Sequence, residues 1–189
     1  AVDSAGNESG FSNEVSATPA HIALLGEYIP DANTILLMHL NETGGTSITD
    51  ESGNGLNGTV QSGVTFGPGR FGNAAVYADQ GYFSIDHTTL LNLTDLTIEM
   101  WIEPDMTDFT ATGADPGFGL LSKRDSNTTH PCILMIENGG ALRFNAHYST
   151  AGYHNALTPG GALKVHRWQH VAVTRSVSGS DVSLQRFVN

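Results

Sequence analysis

The stretch Leu96-Thr-Ile-Glu-Met-Trp-Ile-Glu-Pro104 alternates strictly. Leu96, Ile98, Met100 and Ile102 fall on one side of an extended chain, and Thr97, Glu99, Trp101 and Glu103 on the other. Period-two alternation over eight residues marks a strand lying between a dry core and a wetter surface. Asp95 stands just before it. Pro104, which has no N–H to give to a sheet ladder, ends it. One face therefore belongs to a core between two sheets, while the other carries a tryptophan between two carboxylates.

The same pattern recurs along the chain. Thr59–Phe66 and Ala74–Ile85 are predicted strands, the second broken by a turn at Asp79-Gln-Gly81. Gly119–Lys123, Cys132–Glu137 and Ala141–Tyr148 follow, with Asn138-Gly-Gly140 as a hairpin turn between the last two. Tyr153–Leu157, Trp168–Thr174 and a strand opening at Val182 complete the series. Ile35–Leu40 is a continuous apolar run, predicted to be a strand buried on both faces. Residues 87–92 are expected to make a helical turn. About a dozen short, evenly spaced strands without an amphipathic helix indicate an all-β fold: an antiparallel, two-sheet jelly-roll β-sandwich.

Composition narrows the function classes. Eight Lys+Arg against nineteen Asp+Glu give a net charge of −11. Such a surface repels phosphate backbones and anionic lipid, which argues against nucleic acid and membrane as partners. No apolar stretch approaches the roughly 20 residues that span a bilayer. The single cysteine, Cys132, cannot form an internal disulfide and sits in the apolar run Cys132-Ile-Leu-Met-Ile136, where it reads as a small buried hydrophobe.

Two pieces of sequence resemble known modules. Residues 1–19, Ala-Val-Asp-Ser-Ala-Gly-Asn-Glu-Ser-Gly-Phe-Ser-Asn-Glu-Val-Ser-Ala-Thr-Pro, resemble the last two strands of a fibronectin type III module. A lone hairpin is marginal in water, so this remnant is expected to be loosely held or docked on its neighbour. Residues 20–34 form a linker, with Ile22, Leu24 and Leu25 as an apolar patch. From Ile35 to the end, six segments in register resemble the laminin-G-like, concanavalin-A-like lectin/glucanase domains. They are Leu36–Glu42, Asp50–Thr59, Gly69–Ala75, Leu96–Pro104, Leu120–Lys123 and Arg167–Thr174. The resemblance implies two curved antiparallel sheets in a module of a secreted, extracellular or cell-surface multidomain protein. Its partners would be a glycan or an extracellular protein, together with neighbouring modules of the parent chain. It also implies that residues 35–189 lack the last strands of the domain, since the family continues past the point matching Val188-Asn189.

Candidate sites follow from residue chemistry. Gly44–Gly58 is the loop richest in turn residues, with Asp50, Asn54 and Asn57 presenting oxygens and Gly53, Gly55 and Gly58 permitting a tight wrap. That set suits a structural calcium ion and suits Asx-turn scaffolding equally well. The segment Asn145-Ala-His-Tyr-Ser-Thr-Ala-Gly-Tyr-His-Asn155 places His147, Tyr148, Tyr153, His154 and Asn155 together. These rings and amides could stack on and hydrogen-bond a sugar, although an ordinary polar hairpin would look the same. His39 reads as a core histidine with satisfied nitrogens.

Related glucanases use an E-x-D-x-E arrangement, whose nearest counterpart here is Glu99-Met-Trp-Ile-Glu103, with Trp101 at the middle acid. Backbones four residues apart on a strand are roughly 13 Å apart, against carboxyl separations of about 5–10 Å for glycoside hydrolysis. No G-x-S-x-G elbow, H-E-x-x-H pair or phosphate loop is present. A non-catalytic recognition module is expected, with a glycoside hydrolase or a ligand-free spacer as alternatives. Five Asn-x-Ser/Thr sequons, at Asn7, Asn41, Asn57, Asn92 and Asn127, matter only in a host that glycosylates them.

Overall fold

The computed structural model describes residues 26–106, 108–110, 117–124, 130–148, 152–178 and 181–189. The expected fibronectin-like remnant, the patch Ile22, Leu24 and Leu25, and the sequons at Asn7 and Asn127 lie outside the described residues. Among the described residues the regular structure is all β apart from one 3-10 turn at Thr89–Leu91, and every strand pairing is antiparallel. The chain forms two compact units, divided between Asp86 and His87.

The first unit carries a three-stranded sheet in the order β1-β2-β3, from β1 (Ser47–Ile48), β2 (Gly58–Pro68) and β3 (Asn73–Ile85). Ile48, on β1, and Leu56 are buried. Gly58 packs so closely that a Cβ there would lie 3.0 Å from the Phe83 ring. Two expectations fail in this unit. Asp79-Gln-Gly81 is not a turn. It stays within β3, where the ladder shifts register between Val60 and Ser62 and again between Ser62 and Val64. Gly63 (φ 58°) and Gln80 (φ 57°) take left-handed conformations there, and a Cβ on Gly63 would meet the Gly81 Cα at 2.9 Å. Turn-forming residues are thus spent on a bulge, which twists a long ribbon without ending it.

Ile35–Leu40 is likewise no strand. It runs half-buried and irregular, ending at Leu40 with φ 61°. Its polar backbone is satisfied by loop residues: Leu37 N–H donates to Asp50 Oδ1 at 3.1 Å, and the Ile35 carbonyl accepts from the Ser52 hydroxyl at 3.0 Å. A backbone paired in this way has no need of a ladder.

The second unit is a β-sandwich. One sheet has the order β10-β9-β4 and the other β5-β6-β7-β8. The strands are β4 (Leu96–Ile102), β5 (Gly117–Lys123), β6 (His130–Glu137), β7 (Ala141–Tyr148), β8 (Gly152–Leu157), β9 (Gln169–Ser178) and β10 (Asp181–Val188). Between the sheets lie Leu134, Ile136, Leu142, Phe144, Leu163, Val171 and Val173, all buried. Leu96, Ile98, Met100 and Ile102 pack against that cluster, as the alternation of β4 requires. Burying each such side chain contributes on the order of 2 kcal/mol.

Gly139 (φ 78°) and Gly140 (φ 74°) make the β6–β7 turn, where a Cβ on Gly140 would strike the Phe109 ring at 2.7 Å. Arg175 occupies a core-facing position and is almost wholly buried. Its guanidinium donates to the Thr94 carbonyl at 2.8 Å and also to the Leu93 carbonyl, so the segment entering β4 is held by charge-assisted bonds.

Candidate functional site

The sugar-binding set divides across the β7–β8 hairpin. Asn145 pairs with Asn155 and His147 with Tyr153, whereas Ala146 pairs with His154 and Tyr148 with Gly152. Successive strand positions face opposite ways. Phe144 and Ala146 are buried, and Phe144 belongs to the core. The parity of Tyr148 and His154 is therefore that of the core side. Positions 147, 153 and 155 belong to the opposite side. For His147, Tyr148 and Tyr153 the placement is that of the backbone. The five residues share a hairpin but not a face.

His154 and Asn155 nonetheless line a cleft of about 260 Å³ between β8 and β10, with Leu157, Val182, Leu184 and Arg186. β8 ends the four-stranded sheet and β10 ends the three-stranded one, so the cleft opens where the two layers meet at their margins. Along β10, Val182, Leu184, Arg186 and Val188 share one parity, and Leu184 and Val188 pack on the core. Arg186 belongs to that inward stripe yet is exposed, because the cleft opens in front of it. Sequence reasoning passed over Arg186. The available signal was a cation in the apolar register of Val182-Ser-Leu-Gln-Arg-Phe-Val188.

The outer face of β4 has a different partner from the one its spacing suggested. Glu103 lies beyond the strand, exposed. Glu99 Oε2 lies 3.2 Å from His170 Nε2 on β9. Trp101 is the cross-strand neighbour of His170, with ring centroids 5.3 Å apart and tilted by 51°. The sheet thus joins Glu99 to an imidazole instead of to a second carboxylate.

The Gly44–Gly58 loop is organised around Asp50, which is 7% exposed. Its Oδ1 accepts from Leu37 N–H at 3.1 Å and Ser52 N–H at 3.0 Å, and its Oδ2 from the Ser52 hydroxyl and Leu56 N–H, both at 2.8 Å. Burial pushes this carboxyl upward, but the four hydrogen bonds together outweigh it and hold the group below its ordinary value. Asn57 Oδ1 accepts from Asp50 N–H at 2.9 Å, and Asn54 Nδ2 donates to the Ile35 carbonyl at 2.9 Å. The three residues proposed as cation ligands do meet in one network, and its acceptors face protein donors. Among the described residues no group of three or more His, Cys, Asp and Glu stands close enough to hold a metal ion.

Two isolated candidates have structural surroundings. His39 Nε2 is 2.9 Å from the Tyr28 carbonyl. Cys132 is buried, and desolvation raises its thiol above the usual range despite the opposing charges of Arg175 and Lys123, which suppresses the reactive thiolate.

Comparison with known families adds one finding. The sequence profile of the Concanavalin A-like lectin/glucanases superfamily matches residues 77–189, more than half of the chain. No curated protein and no solved structure matches it.

Proposed function

The chain belongs to the concanavalin A-like lectin/glucanases superfamily, and from that premise we propose that it is a non-catalytic recognition module holding a carbohydrate in the cleft between β8 and β10. Binding of carbohydrate or protein is the general property of such domains. The observation that carries the narrower reading is the cleft itself. It gathers the polar side chains His154, Asn155 and Arg186 in one concave site whose open surface is mainly polar, and convergent polar groups of this kind fix the orientation of a small ligand.

The carboxylates speak against catalysis. Glycoside hydrolysis takes a pair of them flanking the scissile bond. None is among the described residues that line the cleft, and Glu99 is engaged with His170. The Asp50 loop is read as a scaffold, since a calcium ion would compete with the four donors for the same lone pairs. Residues 1–19 as a fibronectin type III remnant, 20–34 as linker and 35–189 as the binding module complete the proposal, in an extracellular or cell-surface protein whose neighbouring modules flank it.

Titration of the chain with a panel of neutral and acidic glycans, followed by backbone amide shifts, tests the reading. Shifts should concentrate at residues 154–157 and 182–186. Shifts elsewhere, or release of reducing ends from any glycan in the panel, would overturn it.

A further inference from the structure

We infer that the cleft between β8 and β10 selects a sugar ring bearing a carboxylate, and that Arg186 is the residue that reads the acid. The inference rests on the carbohydrate-binding reading above and adds the chemical class of the ligand.

Position is the first argument. Arg186 stands in the stripe Val182, Leu184, Arg186, Val188, whose other members face inward, two of them packing on the core. A guanidinium at a core-facing position is costly unless it is hydrated or paired. Here the margin of the sandwich opens around it, so the charge meets a cavity of about 260 Å³ instead of apolar side chains.

Charge is the second argument. The chain carries a net charge of −11, yet no Asp or Glu is among the described residues that line this cleft. Among the described residues the Arg186 guanidinium has no hydrogen-bond or ion-pair partner, which leaves its planar fork of N–H donors for a ligand. A carboxylate is the group that such a fork matches in a bidentate way.

Size and lining supply the third. The volume lies just under the roughly 300–1,000 Å³ of small-ligand pockets, which fits one ring better than a chain. The open lining is mainly polar, with the Asn155 amide and His154 imidazole beside Arg186 where ring hydroxyls would lie.

An inward charge on an edge strand also guards against edge-to-edge pairing, and that role needs only a charge. The two roles separate by substitution. Lysine retains the charge and the guard but loses the fork.

The experiment is calorimetric titration of the full chain with the methyl glycosides of glucose, galactose and mannose beside their C6-carboxylate counterparts. At least one acidic member should bind about tenfold or more tightly than its neutral partner. Arg186→Gln should erase that preference, and Arg186→Lys should retain only part of it. The melting curve of each variant confirms folding. Equal affinity for acidic and neutral partners, or a preference that survives Arg186→Gln, overturns the inference and leaves carbohydrate binding standing. Failure of every glycoside to bind overturns both.

Discussion

The Asp50 loop and the sandwich core hold their surroundings by opposite means. Around Asp50 a single carboxylate collects four hydrogen bonds from Leu37, Ser52 and Leu56. Between the sheets, Leu134, Leu142, Phe144, Val171 and Val173 pack without a polar atom among their side chains. The loop is directional: it depends on one residue's lone pairs and on their being charged. The core is distributed: many contacts each contribute little, and none depends on pH. The difference teaches where each region is fragile, and substitutions can be chosen to strain it.

The largest effect is expected in the core. Phe144 is 0% exposed, so Phe144→Ala removes buried area and leaves a cavity, costing about 4 kcal/mol. Denaturant midpoints measure this directly. A cost under about 1 kcal/mol would mean that the layers collapse around the gap and that the core is less tightly specified than its packing indicates.

Asp50→Ala should come next, at about 3 kcal/mol, because it strands buried donors that lose a charged acceptor. Amide exchange at Leu37, Ser52 and Leu56 should rise with it. The comparison sharpens on pH. A carboxyl held below its ordinary value stabilises the fold above its unfolded pKa of about 3.9, and that contribution is lost as pH falls through the lower folded value. The wild type should therefore show an acid limb in its melting temperature that Asp50→Asn lacks. Millimolar calcium or chelator should leave the melt unchanged. A rise with calcium that disappears in Asp50→Ala would make the loop a cation site after all.

Gly81→Ala is smaller, at about 2 kcal/mol, since the new Cβ would press on the Gly63 backbone across the bulge. If the ribbon accommodates it without loss, the two register shifts are soft and do not fix the twist of β2 and β3.

How legible these features were depended on whether their partners lay close in sequence. β4 could be bounded to within one residue, because its alternation and Pro104 are local. Ile35–Leu40 could not be read, since what replaces its ladder is Asp50, Ser52 and Asn54 reaching back across a loop. Asp79-Gln-Gly81 has turn chemistry, and only the strand opposite, with Gly63 facing Gly81, makes it a bulge. The oxygens of the Asp50 loop were visible as a set. Whether they face donors or a cation depended on where Leu37 and Leu56 turn their N–H groups. At the candidate cleft, His154 and Asn155 were picked out by their chemistry. Arg186 needed a second piece of knowledge, that β8 and β10 are both edges with a gap between them.

The smallest effect tests the outer face of β4. Glu99 and His170 form a half-exposed pair, with 37% and 12% of their side chains accessible. A polar contact so near solvent is worth less than about 1 kcal/mol, so Glu99→Gln should shift the unfolding midpoint only slightly. The Trp101–His170 ring contact does not depend on the carboxylate, and Trp101 fluorescence should stay close to that of the wild type. A loss of several kcal/mol would show that this face relies on one charge in the way the Asp50 loop does. The contrast between a directional loop and a distributed sandwich would then hold only for the interior of the second unit and not for its surface.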